Sequence, residues 1–227
     1  MSRRTAATAV LAGLLLAGCG SSDEGDGGTR PAADGDTVTC EWVAAGDGPA
    51  VVDVGTPPEQ VPATGTGTLT LALGQGPLEL TLDRAGAPCA AASFTHLAEQ
   101  GFFDGSPCHR EVNLEQFGVL QCGDPSGTGR GGPSYRFGVE VTDETSYPRG
   151  TVAMANSGQP DSTGSQFFLC FTDSQLPPDY TVVGTVDEAG LEVLDGIAEA
   201  GNDGSFEPSP GGGAPAEPVT IESVTVG

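Results

Sequence analysis

The chain has 227 residues, which fits one domain with extensions. Glycine (36) and proline (18) are abundant and aromatics make up 6%, a balance that favours short strands and turns over helical bundles. The formal charge is −23, and every basic residue is an arginine, so a phosphate backbone or an anionic membrane surface would repel the chain. Nucleic-acid binding is disfavoured, and any membrane attachment needs an anchor.

The first segment supplies such an anchor. Arg3 and Arg4 precede an apolar run from Ala6 to Ala17 that is too short to span a bilayer and reads as the core of a signal peptide, residues 1–18. The run ends in Leu16-Ala17-Gly18-Cys19, which resembles a bacterial lipobox. That resemblance implies cleavage before Cys19 and lipidation there. Loss of Arg3 and Arg4 would take the charge from −23 to −25. Residues 19–36 are rich in Gly, Ser and Asp and read as a disordered, self-repelling tether.

Residues 37–65 form an N-terminal extension. Thr37–Val43 reads as a short strand, and the rest is loop, with Pro49, Pro57, Pro58 and Pro62. The compact domain is expected over 66–227. Thr68–Leu73 and Leu78–Leu82 alternate apolar with polar residues, and Gly74-Gln75-Gly76-Pro77 between them reads as a hairpin turn. Pro88 opens a helix that Gly101 closes, with Phe94, Leu97 and Ala98 on one face. Further strands are expected near Cys108–Val112, Gly118–Cys122, Tyr135–Val139, Thr151–Ala155, Gln166–Phe171 and Thr181–Val186. A second helix follows over Leu191–Glu199. Asn202–Pro215 reads as a flexible Gly/Pro loop, and Val219–Val226 as a last strand. About eight strands and two helices suggest a mainly β fold. We expect a closed eight-stranded antiparallel β-barrel capped by two α-helices, since closure removes exposed edges.

Met154-Ala155-Asn156-Ser157-Gly158 and Gly164-Ser165-Gln166-Phe167-Phe168 place side-chain amides and aromatics close together, without a nucleophile–base pair or a metal-ligand set. This combination resembles the signature of the cyclophilin family of peptidyl-prolyl cis–trans isomerases. Cys108-His109-Arg110 is similar to that family's catalytic-arginine strand. The resemblance implies that Arg110 is the catalytic donor and that Gln121 orients it. It further implies that Phe168 floors a proline pocket walled by Val119, Leu176 and Tyr180. Ala155 and Asn156 would hold the peptide main chain, and Gln166 would reach it from the other side. Strand alternation sends Phe167 and Phe168 to opposite faces, with Phe167 in the core. Gly118 stands where the family usually has an aromatic. Phe117 could replace it, but a one-residue offset would flip its face. Gln175 stands where many eukaryotic members carry a pocket tryptophan, so cyclosporin-like ligands should bind weakly.

Other motifs point elsewhere and are discounted. Gly127–Gly132 satisfies G-x-G-x-x-G, but a strand pattern follows where a dinucleotide site needs a helix. His109 is expected to be a satisfied core histidine, and His96 structural or solvated. No C-x-x-C pair exists and there are two histidines, so a zinc site is disfavoured and no cofactor is implied. Export makes disulfides plausible. If Cys108 shares the face of Arg110 and Gln121, Cys122 takes the other, which argues against Cys108–Cys122. Cys170 falls where the family often has an unpaired core residue. The remaining options are Cys40–Cys108 with Cys89–Cys122, or Cys40–Cys122 with Cys89–Cys108.

The resemblance implies an isomerase of X-Pro bonds in exported proteins. With the leader, it implies an extracytoplasmic, lipid-anchored and monomeric protein. The alternative is a cyclophilin-like module that grips proline-containing segments as a chaperone or scaffold with little catalysis.

Overall fold

The structure is a computed structural model that describes residues 36–227. The expected signal peptide, Cys19 and nearly all of the tether lie outside these residues. Among the described residues no helix is long and apolar enough to cross a membrane.

Four short strands come first: β1 (Thr37–Thr39), β2 (Val43–Ala44), β3 (Val51–Val52) and β4 (Gln60–Pro62). The anticipated hairpin is β5 (Thr66–Leu73) with β6 (Gly76–Asp83). After α1 (Pro88–Glu99) come β7 (Ser106–Pro107), β8 (Arg110–Leu114), β9 (Phe117–Cys122), β10 (Gly132–Pro133) and β11 (Tyr135–Arg136). The chain ends with β12 (Thr151–Met154), β13 (Phe167–Cys170), β14 (Val182–Val186), α2 (Glu188–Ala200) and β15 (Thr220–Val226).

Nine strands form one antiparallel sheet in the order β7-β15-β5-β6-β14-β12-β13-β9-β8. The expected closed eight-stranded barrel is therefore corrected: the sheet is strongly curled but open, a half-barrel with β7 and β8 as its edges. Those edges are consecutive pieces of chain, parted only by Cys108 and His109, so they lie within about 11 Å of each other. The Cys108 N–H bonds the Val219 carbonyl and the His109 N–H bonds the Gln121 carbonyl. One run of chain hands over from one edge to the other. The linking N–H groups are spent on Val219 and Gln121 on the two sides, and no ladder joins β7 to β8.

The same hand-over corrects the disulfides. The bonds are Cys40–Cys89 and Cys108–Cys122. The objection to Cys108–Cys122 assumed a strand running through Cys108, whereas β8 starts at Arg110. Alternation does not carry across the bend, and Cys108 turns to the core face with Cys122. Cys170 is free and buried.

The sheet has two apolar faces. Leu69, Leu71, Leu80, Leu120, Phe167 and Leu169 join Phe94 and Leu97 of α1 in the main core. Val112, Val119, Ala153, Phe168 and Cys170 form a second cluster on the opposite face. The Glu140 carboxylate accepts from the Cys89 and Ala90 N–H groups (2.9 and 2.8 Å) and so caps α1 from a distant loop. Asp187 caps α2 by accepting from the Gly190 N–H.

The extension is more ordered than a loop. β1 pairs with β4, β2 with β11 and β3 with β10. Trp42 stands edge-on to Tyr135 and Phe137, with centroids 5.4 and 5.5 Å away. His96 reaches the Val54 carbonyl from α1, a structural contact.

Asn202–Pro215, expected to be flexible, is instead a closed strap over the edge strand β8. Glu111 and Gly213 exchange two main-chain hydrogen bonds (2.7 and 3.0 Å). Beneath the strap the Glu111 side chain is fully buried, and neither carboxylate oxygen has a partner among the described residues. Burial pushes its pKa from 4.5 to about 7. An unfolded chain ionises this group near pH 4.5 while the folded chain keeps it protonated. Stability is thus intact below that pH and lost as pH rises through 7. Glu111→Gln should gain about 3 kcal/mol relative to the parent between pH 4 and pH 8. Urea unfolding at several pH values checks this, and a pH-independent difference between the two proteins would refute it.

Candidate functional site

β8, β9 and β13 lie side by side at one end of the sheet. Arg110 stands opposite Gln121, and Gln121 opposite Phe168. Alternation then puts Phe117, Val119 and Gln121 on one face of β9 and Leu120 and Cys122 on the other. A cavity of about 170 Å³ opens on the first face. It is lined by Arg110, Phe117, Val119, Gln121, Ala155, Asn156, Phe168, Leu176 and Tyr180. One cation and two side-chain amides share the pocket with aliphatic and aromatic side chains.

The guanidinium is held on several sides. Nη1 donates to the Gln121 side-chain carbonyl (3.2 Å), Nη2 to the Pro210 carbonyl (2.8 Å) and Nε to the Gly211 carbonyl (3.1 Å). Its Cζ lies 5.9 Å from the centre of the Phe117 ring. Partial burial lowers its pKa, with Tyr180 and Glu207 opposing, but an arginine keeps its charge. Because Arg110 can only donate, the Gln121 amide must present its oxygen to it. The Gln121 nitrogen then donates to the Gln166 side chain (3.0 Å), whose own nitrogen donates to the Gly131 carbonyl (3.1 Å). A relay of amides thus fixes the arginine from below.

Phe168 and Tyr180 line the far wall, and the buried Tyr147 packs with them. Phe168 meets Tyr180 edge-on at 5.5 Å, and Tyr147 lies 6.1 Å from each. The Tyr147 hydroxyl donates to the Tyr180 carbonyl (3.0 Å) and accepts from its N–H (2.9 Å). Phe167 points the other way, into the core against Phe94. The Asn156 side chain bonds the Asp179 carbonyl and the Gly158 N–H, so it braces its own loop. Its main chain makes no hydrogen bond among the described residues.

A larger cavity of about 430 Å³ adjoins the first and shares Gln121, Ala155 and Asn156 with it. Gln166, Arg130 and Arg136 also line it, and no carboxylate does. Neither arginine forms an ion pair: the one salt bridge among the described residues joins Arg149 to Asp195. In so acidic a chain, an acid-free cavity with two arginines favours an anionic group.

The model of the family described as "Cyclophilin type peptidyl-prolyl cis-trans isomerase/CLD" matches residues 68–226. The chain belongs to the cyclophilin family. It is 45% identical over 188 residues to "Probable peptidyl-prolyl cis-trans isomerase B" of Mycobacterium tuberculosis. That alignment covers 78% of this chain and 58% of the relative, so the chain spans little more than half the relative's length. A peptidyl-prolyl cis-trans isomerase of Helicobacter pylori is 41% identical over 137 residues, covering 59% of this chain and 82% of that protein. Among solved structures, a cyclophilin of Cryptosporidium parvum matches with a TM-score of 0.61 at 27% identity, over 72% of this chain and 98% of its own.

The cyclophilin fold gathers nearly every residue picked from the sequence into the smaller cavity. Gln166 is the exception: it lines the neighbouring cavity, and its side chain continues the relay from Gln121. Phe117 faces the pocket, contrary to the expected flip, because it sits two residues before Val119 on one strand. Gly118 faces the other way, and a Cβ there would approach Phe171 to 2.7 Å, so no aromatic fits at that position. His109 is buried but not satisfied, since its Nδ1 has no partner among the described residues. Desolvation holds its pKa down, with Asp124 opposing. The Gly127–Gly132 stretch wraps the buried Asp124, whose carboxylate accepts from the N–H groups of Ser126, Arg130 and Gly131. Tyr147 and the carbonyls of Pro210 and Gly211 were missed. Tyr147 lies in a loop with no periodicity, and main-chain carbonyls leave no trace in residue type.

Proposed function

We propose that this chain is a peptidyl-prolyl cis–trans isomerase in which Arg110 stabilises the twisted amide. The observation that carries the reading is the placement of a cation, held by neutral partners, at the edge of a pocket sized for a proline ring. Rotation about an X-Pro bond meets a barrier of about 18–20 kcal/mol because resonance stiffens the C–N bond. Nothing covalent has to form or break. As the bond twists, the nitrogen becomes pyramidal and its lone pair is freed, and a donor aimed there lowers the barrier. Phe168, Val119, Leu176 and Tyr180 would hold the ring while Asn156 holds the peptide main chain. A guanidinium has five N–H groups. Three are committed to Gln121, Pro210 and Gly211, which leaves two for substrate.

The substrate class extends to exported proteins at the outer face of the membrane. Support comes from the order of Arg3, Arg4, the apolar run and Cys19, and from two disulfides, which persist in oxidising compartments.

Three measurements test the reading. Arg110→Ala should lower kcat/KM on proline peptides by about 10²–10³-fold, and Arg110→Lys should restore little, because an ammonium cannot reproduce the planar fork. Equal rates in parent and Arg110→Ala would overturn the mechanism. Binding without acceleration in the parent would favour the module that grips proline segments. A peptide with a glutamate shortly before its proline should bind about five- to tenfold more tightly than its alanine counterpart, and Arg136→Gln should erase the difference. An equal affinity for both peptides in the parent would exclude that preference. Finally, mass spectrometry of the protein from its native membrane should find lipid on Cys19, and Cys19→Ser should release it to the soluble fraction. An unmodified Cys19 would end the anchor proposal.

A further inference from the structure

We propose that the strap from Asp203 to Gly213 is the positioning device for the Arg110 guanidinium, with Gly212 and the Asp203 carboxylate as its determining residues. The inference rests on the reading of Arg110 given above.

Two of the three acceptors that fix Arg110 belong to this strap, and both are main-chain carbonyls, of Pro210 and Gly211. Gln121 fixes the guanidinium from the sheet, while the strap fixes it from outside. Neutral carbonyls orient a cation without cancelling its charge, as a carboxylate would. The field of the guanidinium therefore stays available to a substrate. No side-chain exchange at 210 or 211 removes a carbonyl, so the orientation depends on where the backbone of the strap lies.

That backbone is set by its seat on β8. Glu111 and Gly213 bond each other twice, which pins the strap to the residue next to Arg110. Gly212 has φ +74°, a conformation that side chains disfavour. A Cβ on Gly212 would also collide with the Glu111 carbonyl oxygen, and one on Gly213 with the Asp203 carboxylate. Only glycines let two backbones approach this closely. Asp203 then closes the strap: its Oδ1 accepts from the Ser205 and Ala214 N–H groups, both at 2.9 Å. Glu207 adds a bond from the Gly212 N–H at 2.7 Å.

The test uses the full chain and prolyl-peptide exchange followed by NMR, which separates affinity from rate. Asp203→Ala and Gly212→Val should each lower kcat about tenfold and leave peptide Kd within about twofold, because the proline pocket is untouched. Asp203→Asn keeps an acceptor oxygen and should retain the parent rate. In an Arg110→Ala background the strap substitutions should cost nothing further, since the two act as one unit. Unchanged kcat in both strap variants would overturn the inference. So would a loss of the same size in the Arg110→Ala background, or a Kd that rises in step with the fall in kcat. If Gly212→Val does not fold by circular dichroism, the Asp203→Ala and Asp203→Asn pair decides alone. Full activity of Arg110→Ala would end both the mechanism and this inference. A large loss there without coupling to the strap would end only the inference.

Discussion

A curled sheet with apolar residues on both faces cannot be satisfied by one core, and the site follows from that constraint. In β9 and β13, alternation sends Leu120, Cys122, Phe167 and Leu169 inward and Val119, Gln121, Phe168 and Cys170 outward. α1 and α2 cover the inner set. The outer set is roofed only in part, by loops carrying Tyr147, Leu176 and Tyr180, and the gap in that roof is the pocket. A floor continuous with a well-packed second cluster has little freedom to move, which suits a site that works by fixed geometry.

Partial burial of a guanidinium is costly unless its donors are met. Here they are met by an amide and two carbonyls, so the charge is desolvated and oriented but not neutralised by a bound carboxylate. The chain as a whole is strongly acidic, yet it sets its acids elsewhere around the site. Asp124 is spent on shaping a loop, Glu140 on capping a helix, and Asp203 and Glu207 on closing the strap.

The open half-barrel has two edges, and each exposed row of main-chain groups is a hazard. At β8 the strap answers the hazard by pairing Gly213 with Glu111. At the seam, Cys108–Cys122 ties the hand-over to β9, one residue beyond Gln121. The extension is held in a similar way, by Cys40–Cys89 and by Trp42 against Tyr135 and Phe137. Covalent ties therefore stand where hydrogen-bonded ladders stop.

Residue types and their order determined much of this protein. Period-two runs located the long hairpin, and Pro88 and Gly101 bracketed α1. Arg110, Gln121, Phe168 and their neighbours were singled out because their order resembles the cyclophilin pattern, and the fold brings them to one cavity. What depended on distance along the fold was not readable. Whether the sheet closes depends on where β8 begins, and a bend at Cys108-His109 changed both that answer and the disulfide pairing. Phe117 was misplaced because the strand was expected to start at Gly118, whereas β9 runs unbroken from Phe117 and puts it on the face of Val119. The strap looked like a flexible linker because glycine and proline signal turns, whether loose or docked. Its grip on Arg110 is made by main-chain carbonyls, which every residue carries, and only tertiary structure decides which of them meets a guanidinium.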